Sequence, residues 1–229
     1  MRMQRNAKKA ASFPIPVLKV QDLPPSLALV VEELNRSAVP QASPFLLHMA
    51  GIPGAGKSSL VAPLSKLLAQ HYPAIIGFDR IMSALPEYKA EKDPEKAFHL
   101  YEKPAREAGY FLIKELIEKR ANIIFDHGGA SPAHVNLLLY AKQAGYRVIM
   151  IHVSAPLDAI KNRFQQRQLQ EGRHTPVSYI DERSARIARL LKKYRTIASD
   201  FIEVENEDMD VTTRASFFDE TVRKIAARF

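Results

Sequence analysis

Residues 51–58 read GIPGAGKS, and Gly51, Gly56, Lys57 and Ser58 meet every fixed position of the pattern G-x-x-x-x-G-K-[ST]. The apolar, strand-like run PFLLHMA (44–50) precedes it, and the helix-like run KSSLVAPLSKLLAQ (57–70) follows. Few arrangements constrain a chain more. Glycines let main-chain N–H groups converge on one point without a Cβ in the way. A helix starting near Gly56 aims its unsatisfied N–H groups and the positive end of its dipole at the same point. The residues Gly51, Ile52, Pro53, Gly54, Ala55, Gly56, Lys57, Ser58 and Ser59 therefore form a cradle for a polyphosphate. In it Lys57 reaches the β/γ-phosphates, Ser58 offers a hydroxyl to Mg²⁺, and Ser59 is a helix-start residue also facing the phosphates.

From Pro44 onward strand-like and helix-like runs alternate. Strand candidates are FLLHMA (45–50), AIIGFD (74–79), NIIFD (122–126), YRVIMIHV (146–153) and FIEVEN (201–206). Helix candidates cover 57–70, roughly 94–120, 131–145, 156–172, 178–199 and 214–229, with Pro63 expected to kink or shorten the first. Continuous apolar strands alternating with helices predict a five-stranded parallel sheet covered on both faces. The fold class is α/β, a P-loop NTPase three-layer sandwich with a small helical lid at about 155–178. Its ligand crevice lies at the carboxyl ends of the strands. Residues 1–43, punctuated by Pro14, Pro16, Pro24, Pro25 and Pro40, read as an N-terminal extension with one helix at 26–38 and Ser26 as its N-cap. Residues 44–229 form the domain that carries the phosphate loop.

Two acids end strand candidates beside the phosphate loop. Asp126 follows NIIF and is assigned to the Mg²⁺ shell with Ser58; Asp79 follows IIGF and stands across the crevice, able to take a proton from an attacking hydroxyl. Phosphoryl transfer also needs cations on the transferring group. Arg163 and Arg167 are spaced i, i+4, and Arg173 follows in the Gly172 loop beside His174, the composition of a closing lid. Arg163 and Arg173 are the catalytic candidates, with Arg167 in reserve on the nucleotide.

Composition narrows the alternatives. The chain has 229 residues, no cysteine and a net charge of +8, from 33 basic and 25 acidic residues. A disulfide scaffold and a cysteine-ligated zinc site are excluded, no apolar stretch is long enough for a membrane span, and a cytoplasmic location is expected. Residues 161–195 carry ten Lys/Arg against three acids, but only Tyr179 and Tyr194 interleave as aromatics. Single-stranded nucleic acid sites favour stacking aromatics, so a nucleic-acid partner is disfavoured, with a polynucleotide-end kinase as an alternative. DHGG (126–129) fits D-x-x-G, yet the guanine-reading N-K-x-D is absent, which argues against a GTPase. A nucleotide-binding switch without transfer is the alternative of another class. His48, His127, His134 and His152 are not spaced as a ligand set; His127 alone sits where it could touch substrate.

Together AGIPGAGKSSL, IIGFDRIMSALPEY, NIIFDHGGASP with AKQAGYRVIMIHV, and RFQQRQLQEGRHTP resemble the zeta-toxin family of P-loop kinases, from about Phe45 to Glu205. Characterised members phosphorylate UDP-N-acetyl sugars at a hydroxyl of the amino sugar. The resemblance implies ATP and Mg²⁺ as cofactors and a small hydroxyl acceptor. It implies Asp79 as catalytic base, Lys57 and Ser58 on phosphate and metal, and lid arginines at Arg173 and at Arg163 or Arg167. A protein partner or antitoxin through 1–43 is also expected. Three positions depart from the family pattern. The strand-end acid is Asp126 where Glu is usual. A substrate-contacting acid on the long helix falls at Tyr110, with Glu107 one turn earlier. A substrate-contacting threonine falls on Gly128.

Overall fold

The structure, a computed structural model, describes residues 12–18, 20–163, 177–206 and 211–229. Five parallel strands form one sheet in the order β2-β3-β1-β4-β5: β1 (Phe45–Ala50), β2 (Ala74–Ile76), β3 (Ile123–Phe125), β4 (Arg147–Ser154) and β5 (Asp200–Glu205). β1 lies at the centre, in register with β3 through Leu47 opposite Ile124 and with β4 through Leu47 opposite Ile149. All six residues of β1 are buried, as a strand covered on both faces requires.

The helices are α1 (Pro25–Ser37), α2 (Lys57–Leu67), α3 (Phe78–Ala84), α4 (Pro86–Ala90), α5 (Pro94–Glu118), α6 (Ala133–Gln143), α7 (157–163), α8 (Val177–Ile197) and α9 (Val211–Ala226). Alternation along the strands divides the core. Leu46, Ala50, Ile123, Phe125, Val148 and Met150 face α3, α5 and α6. Leu47, Met49, Ile124, Ile149, Ile151 and Val153 face α2 and α9. This is the three-layer α/β sandwich that the alternation of runs predicts.

Several local outcomes differ from the sequence expectation. β2 stops at Ile76, and Phe78 already opens α3, so Asp79 lies in the first turn of a helix. Gly77 is extended, its carbonyl accepts from Ile81 N at 3.0 Å, and α3 starts there. Gly109 on α5 makes room for the Phe78 ring, which a Cβ at that position would overlap. Ser26 is not an N-cap: Pro24 occupies that position and Pro25 opens α1. α2 retains Pro63 and ends at Leu67, a turn earlier than expected. Ile15, Leu23, Leu27 and Val31 join the core beside α5, and Phe13 packs edge-on against Tyr140 of α6. No helix among the described residues is long and apolar enough to cross a membrane.

Candidate active site

β1 delivers the chain into the 51–56 loop at the centre of the carboxyl edge of the sheet. Gly51 has φ +148°, and a Cβ there would overlap the Val153 carbonyl of β4. Gly56 caps α2 at φ +101°, where a Cβ would meet the Asn206 side-chain amide and the Phe218 ring. Both glycines are thus demanded by conformation and by close neighbours. Lys57 Nζ donates to the carbonyls of Gly51 at 2.7 Å and Ile52 at 3.0 Å, which holds its charge across the mouth of the loop. Ser58 and Ser59 are exposed in the first turn of α2, beside that charge.

Asp126 and Asp79 come from neighbouring elements. Asp126 N donates to Ile76 O at 2.7 Å, so the end of β3 is stitched to the end of β2. Burial pushes the Asp126 carboxyl above its ordinary range; the charges of Lys57 and Arg80 pull it back, and that of Asp79 adds to the rise. Asp126 therefore feels the phosphate-loop lysine on one side and Asp79 on the other. Asp79 is exposed at the start of α3. Such a strained, partly dehydrated carboxylate beside a second one is the setting a divalent cation relieves. Oxygen donors at Asp126 and the Ser58 hydroxyl suit Mg²⁺.

Arg163, at the end of the described part of α7, donates from Nη1 to Gly54 O at 3.2 Å, so it lies on the rim of the phosphate loop. Arg167 and Arg173, with His174 and most of the lid, lie outside the described residues. The structure thus gathers Lys57, Asp126, Asp79 and Arg163 at one end of the sheet.

Other groups complete the site and carry no motif. Asn206, at the carboxyl end of β5 and 1% exposed, donates from Nδ2 to Ala55 O at 2.8 Å, while its own N–H donates to Ser154 O. It braces the phosphate loop from across the sheet. Gly51 N donates to Gly128 O at 3.0 Å, tying this loop to the one after β3. Tyr194 of α8 is fully buried and donates to Gly129 O at 2.7 Å, so it pins the second loop from the other side. Gly128 approaches Gly51 closely, and a Cβ there would lie 3.2 Å from Gly51 O. Arg80, next to Asp79, is a further cation near Asp126. A side chain that serves a carbonyl across the fold leaves no spacing signal in sequence; Arg80 had the signal of adjacency to Asp79.

The floor beneath the two carboxylates is aromatic. His127 stacks on Phe125 with an interplanar angle of 14° and lies 4.8 Å, centroid to centroid, from Phe78. Burial lowers His127 to about 3, so the ring is neutral and serves as packing rather than as a cation for substrate. Tyr110 meets Phe78 edge-on at 4.9 Å. Glu107 instead faces Lys103 at the helix surface, 4.0 Å away.

The family model for the zeta toxin matches residues 31–221. No curated protein matches the sequence of this chain. Among solved structures, a chain of the PezAT chromosomal toxin–antitoxin system of Streptococcus pneumoniae superposes with a TM-score of 0.61 at 14% identity, covering 92% of this chain and 97% of that one. A structure from Chloroflexus aurantiacus gives 0.50 at 14% identity over 80% and 97% of the two chains. Shikimate kinase from Acinetobacter baumannii gives 0.48 at 17% identity over 82% and 95%. At 14% identity the likeness of the first two speaks for the fold alone. The family match spans most of the sequence, including the phosphate loop, Asp79 and Asp126, and this chain belongs to the zeta toxin family.

Proposed function

We propose that this protein is an ATP- and Mg²⁺-dependent phosphotransferase acting on a hydroxyl of a small acceptor, with UDP-N-acetyl sugars as the first class to test. One observation carries the reading. A lysine-bridged amide cradle, rimmed by Arg163, lies beside Asp126 after β3 and Asp79 in the first turn of α3.

The 51–59 main chain grips the polyphosphate and Lys57 supplies a fixed positive charge at its terminal end. Asn206 and Gly128 hold the two loops in register, so little reorganisation is needed when the donor arrives. Ser58 and Asp126 would hold Mg²⁺, which neutralises charge on the polyphosphate. Asp79, exposed at the head of α3, orients the acceptor hydroxyl and accepts its proton as the new oxygen–phosphorus bond forms. The bond between the β- and γ-phosphates breaks, and ADP leaves. Arg163 stabilises charge on the transferring group, with Arg173 and Arg167 assigned to the closing lid.

The S. pneumoniae structure is of a toxin–antitoxin system, and a protein partner is the matching proposal for this chain. The buried face of α1, with Leu27 and Val31, is occupied by the protein's own core. A partner binding through 1–43 would therefore meet the opposite face of α1, where Leu29 is 67% exposed.

The test is incubation with γ-labelled ATP and a panel of UDP-sugars, nucleosides and oligonucleotides, read by mass and label. A labelled small acceptor is the expected result. Label confined to oligonucleotides would favour the polynucleotide-end reading, and nucleotide binding without any transferred label would favour a switch.

A further inference from the structure

The Mg²⁺ site assigned above spans two loops, with Ser58 beyond the one that follows β1 and Asp126 at the start of the one that follows β3. A metal held between loops needs their spacing fixed, and the second loop has little of its own to fix it. Asp126 N–H is clamped to Ile76 O at 2.7 Å, and His127 stacks on Phe125. Beyond them come Gly128 and Gly129, which carry no side chain and have wide main-chain freedom. A main-chain bond crosses between the loops, from Gly51 N to Gly128 O at 3.0 Å. Gly129 has φ +75° and lies against the end of β1, where a Cβ would come within 2.9 Å of Ala50 Cβ.

The far side of this loop is held by a side chain. Tyr194 of α8 donates its hydroxyl proton to Gly129 O at 2.7 Å, with Ser131 O at 3.4 Å as a weaker second acceptor. The direction follows from the chemistry, since a carbonyl only accepts. Burial raises the Tyr194 hydroxyl well above its ordinary value, so the donor keeps its proton. The ring is fully buried, and Ile187 and Leu190 seat the same helix in the core. Tyr194 is therefore a fixed post for the loop. Gly129 is buried as well, so removing the hydroxyl leaves its carbonyl without that donor in a buried place.

We propose that Tyr194 is a positioning residue for the metal site: by holding Gly129 it sets the gap between Asp126 and the phosphate loop, and with it the affinity for the Mg²⁺–nucleotide complex. The proposal rests on the part of the kinase reading that places Asp126 on Mg²⁺, and not on the transfer step. Tyr194 touches neither metal nor nucleotide and acts through the loop. Without its hydroxyl the two glycines let the loop relax, and Asp126 loses its fixed distance from Ser58. The phosphate loop keeps its own ties, the bonds from Lys57 to Gly51 and Ile52 and from Asn206 to Ala55. The loss therefore falls on the metal-dependent part of nucleotide binding and spares the metal-free part.

The test is calorimetric titration of the full chain with a non-hydrolysable ATP analogue, once in Mg²⁺ and once in EDTA. The ratio of the two dissociation constants measures what the metal contributes. Tyr194→Phe, which keeps the ring and its packing, is expected to cut that ratio about tenfold, the lower end for a residue behind a metal ligand, and to leave the EDTA value unchanged. In an Asp126→Asn background the same substitution should change the ratio no further, because the two act through one carboxylate. Equal weakening in both buffers, or a lower melting temperature with the ratio intact, would make Tyr194 a packing residue and overturn the proposal. An Asp126→Asn protein that responds to Mg²⁺ as the wild type does would overturn it too, and would remove Asp126 from the metal site. A reduced ratio in Asp126→Asn beside an unchanged one in Tyr194→Phe would sink the Tyr194 role alone.

Discussion

Lowering the pH should destabilise this protein well above the pH at which ordinary carboxylates titrate, because imidazoles are buried in its core. Desolvation lowers His48 from 6.5 to about 3, with the Lys57 charge adding to the fall and a Met49 carbonyl opposing it. His134 is lowered well below 6.5, again by burial first and then by the neighbouring histidines and Arg183. A folded pKa below the unfolded one means that the unfolded chain takes up protons the folded chain refuses. Stability is then full above about pH 6.5 and falls as pH drops toward the folded value. For His48 between pH 7.5 and pH 5.0, linkage gives a loss of about 2 kcal/mol, and His134 adds in the same direction. Asp126 works the other way: its carboxyl is raised by burial, so protonating it in the folded state is favourable and offsets part of the loss at the acid end. Against a typical total of about 5–15 kcal/mol this is a large fraction. Urea unfolding at the two pH values measures it, at fixed ionic strength. His48→Gln should start less stable at pH 7.5 and show a shallower dependence. A wild-type stability that is flat from pH 7.5 to 5.0 would refute the claim that these rings are held neutral.

Other expectations concern the phosphate loop. Lys57→Ala should weaken nucleotide binding by about tenfold to a hundredfold or more, since it removes a charge-assisted contact, as calorimetric titration would show. Gly56→Ala should cost about 1–2 kcal/mol of backbone strain and displace Asn206, so nucleotide affinity and thermal stability should both fall. Asn206→Ala leaves the Ala55 carbonyl without its donor and should weaken nucleotide binding while the fold, followed by circular dichroism, persists. Arg163→Ala should lower kcat by about 10³-fold with little change in nucleotide affinity if the arginine meets the transferring group.

The fold was legible where a residue pattern is local. Phe45–Ala50 appears as a strand at the boundaries its apolar run suggests, and the loop after it follows from Gly51, Gly56 and Lys57. What escaped is set by tertiary contact. AIIGFD reads as one continuing strand, because Gly77 and Phe78 do not interrupt its apolar run. The turn into α3 is made by Phe78 seating on Gly109, a partner more than thirty residues away. Asp79 and Asp126 were visible as acids after apolar runs, but the influence of Asp79 on Asp126 depends on β2 lying beside β3. Asn206 and Tyr194 act on carbonyls of distant loops, and no motif marks a residue that serves another segment's backbone. Of the two tyrosines in the basic stretch 161–195, Tyr194 is spent on bracing Gly129 within the core.

The central claim, phosphoryl transfer with Asp79 as base, is tested most directly in the Asp79→Asn variant by measuring nucleotide affinity and the rate of labelled acceptor formation side by side. The account predicts wild-type affinity for ATP with transfer slowed by about 10²- to 10⁴-fold, the usual worth of a general base. Transfer at the wild-type rate, with nucleotide still bound, would contradict it.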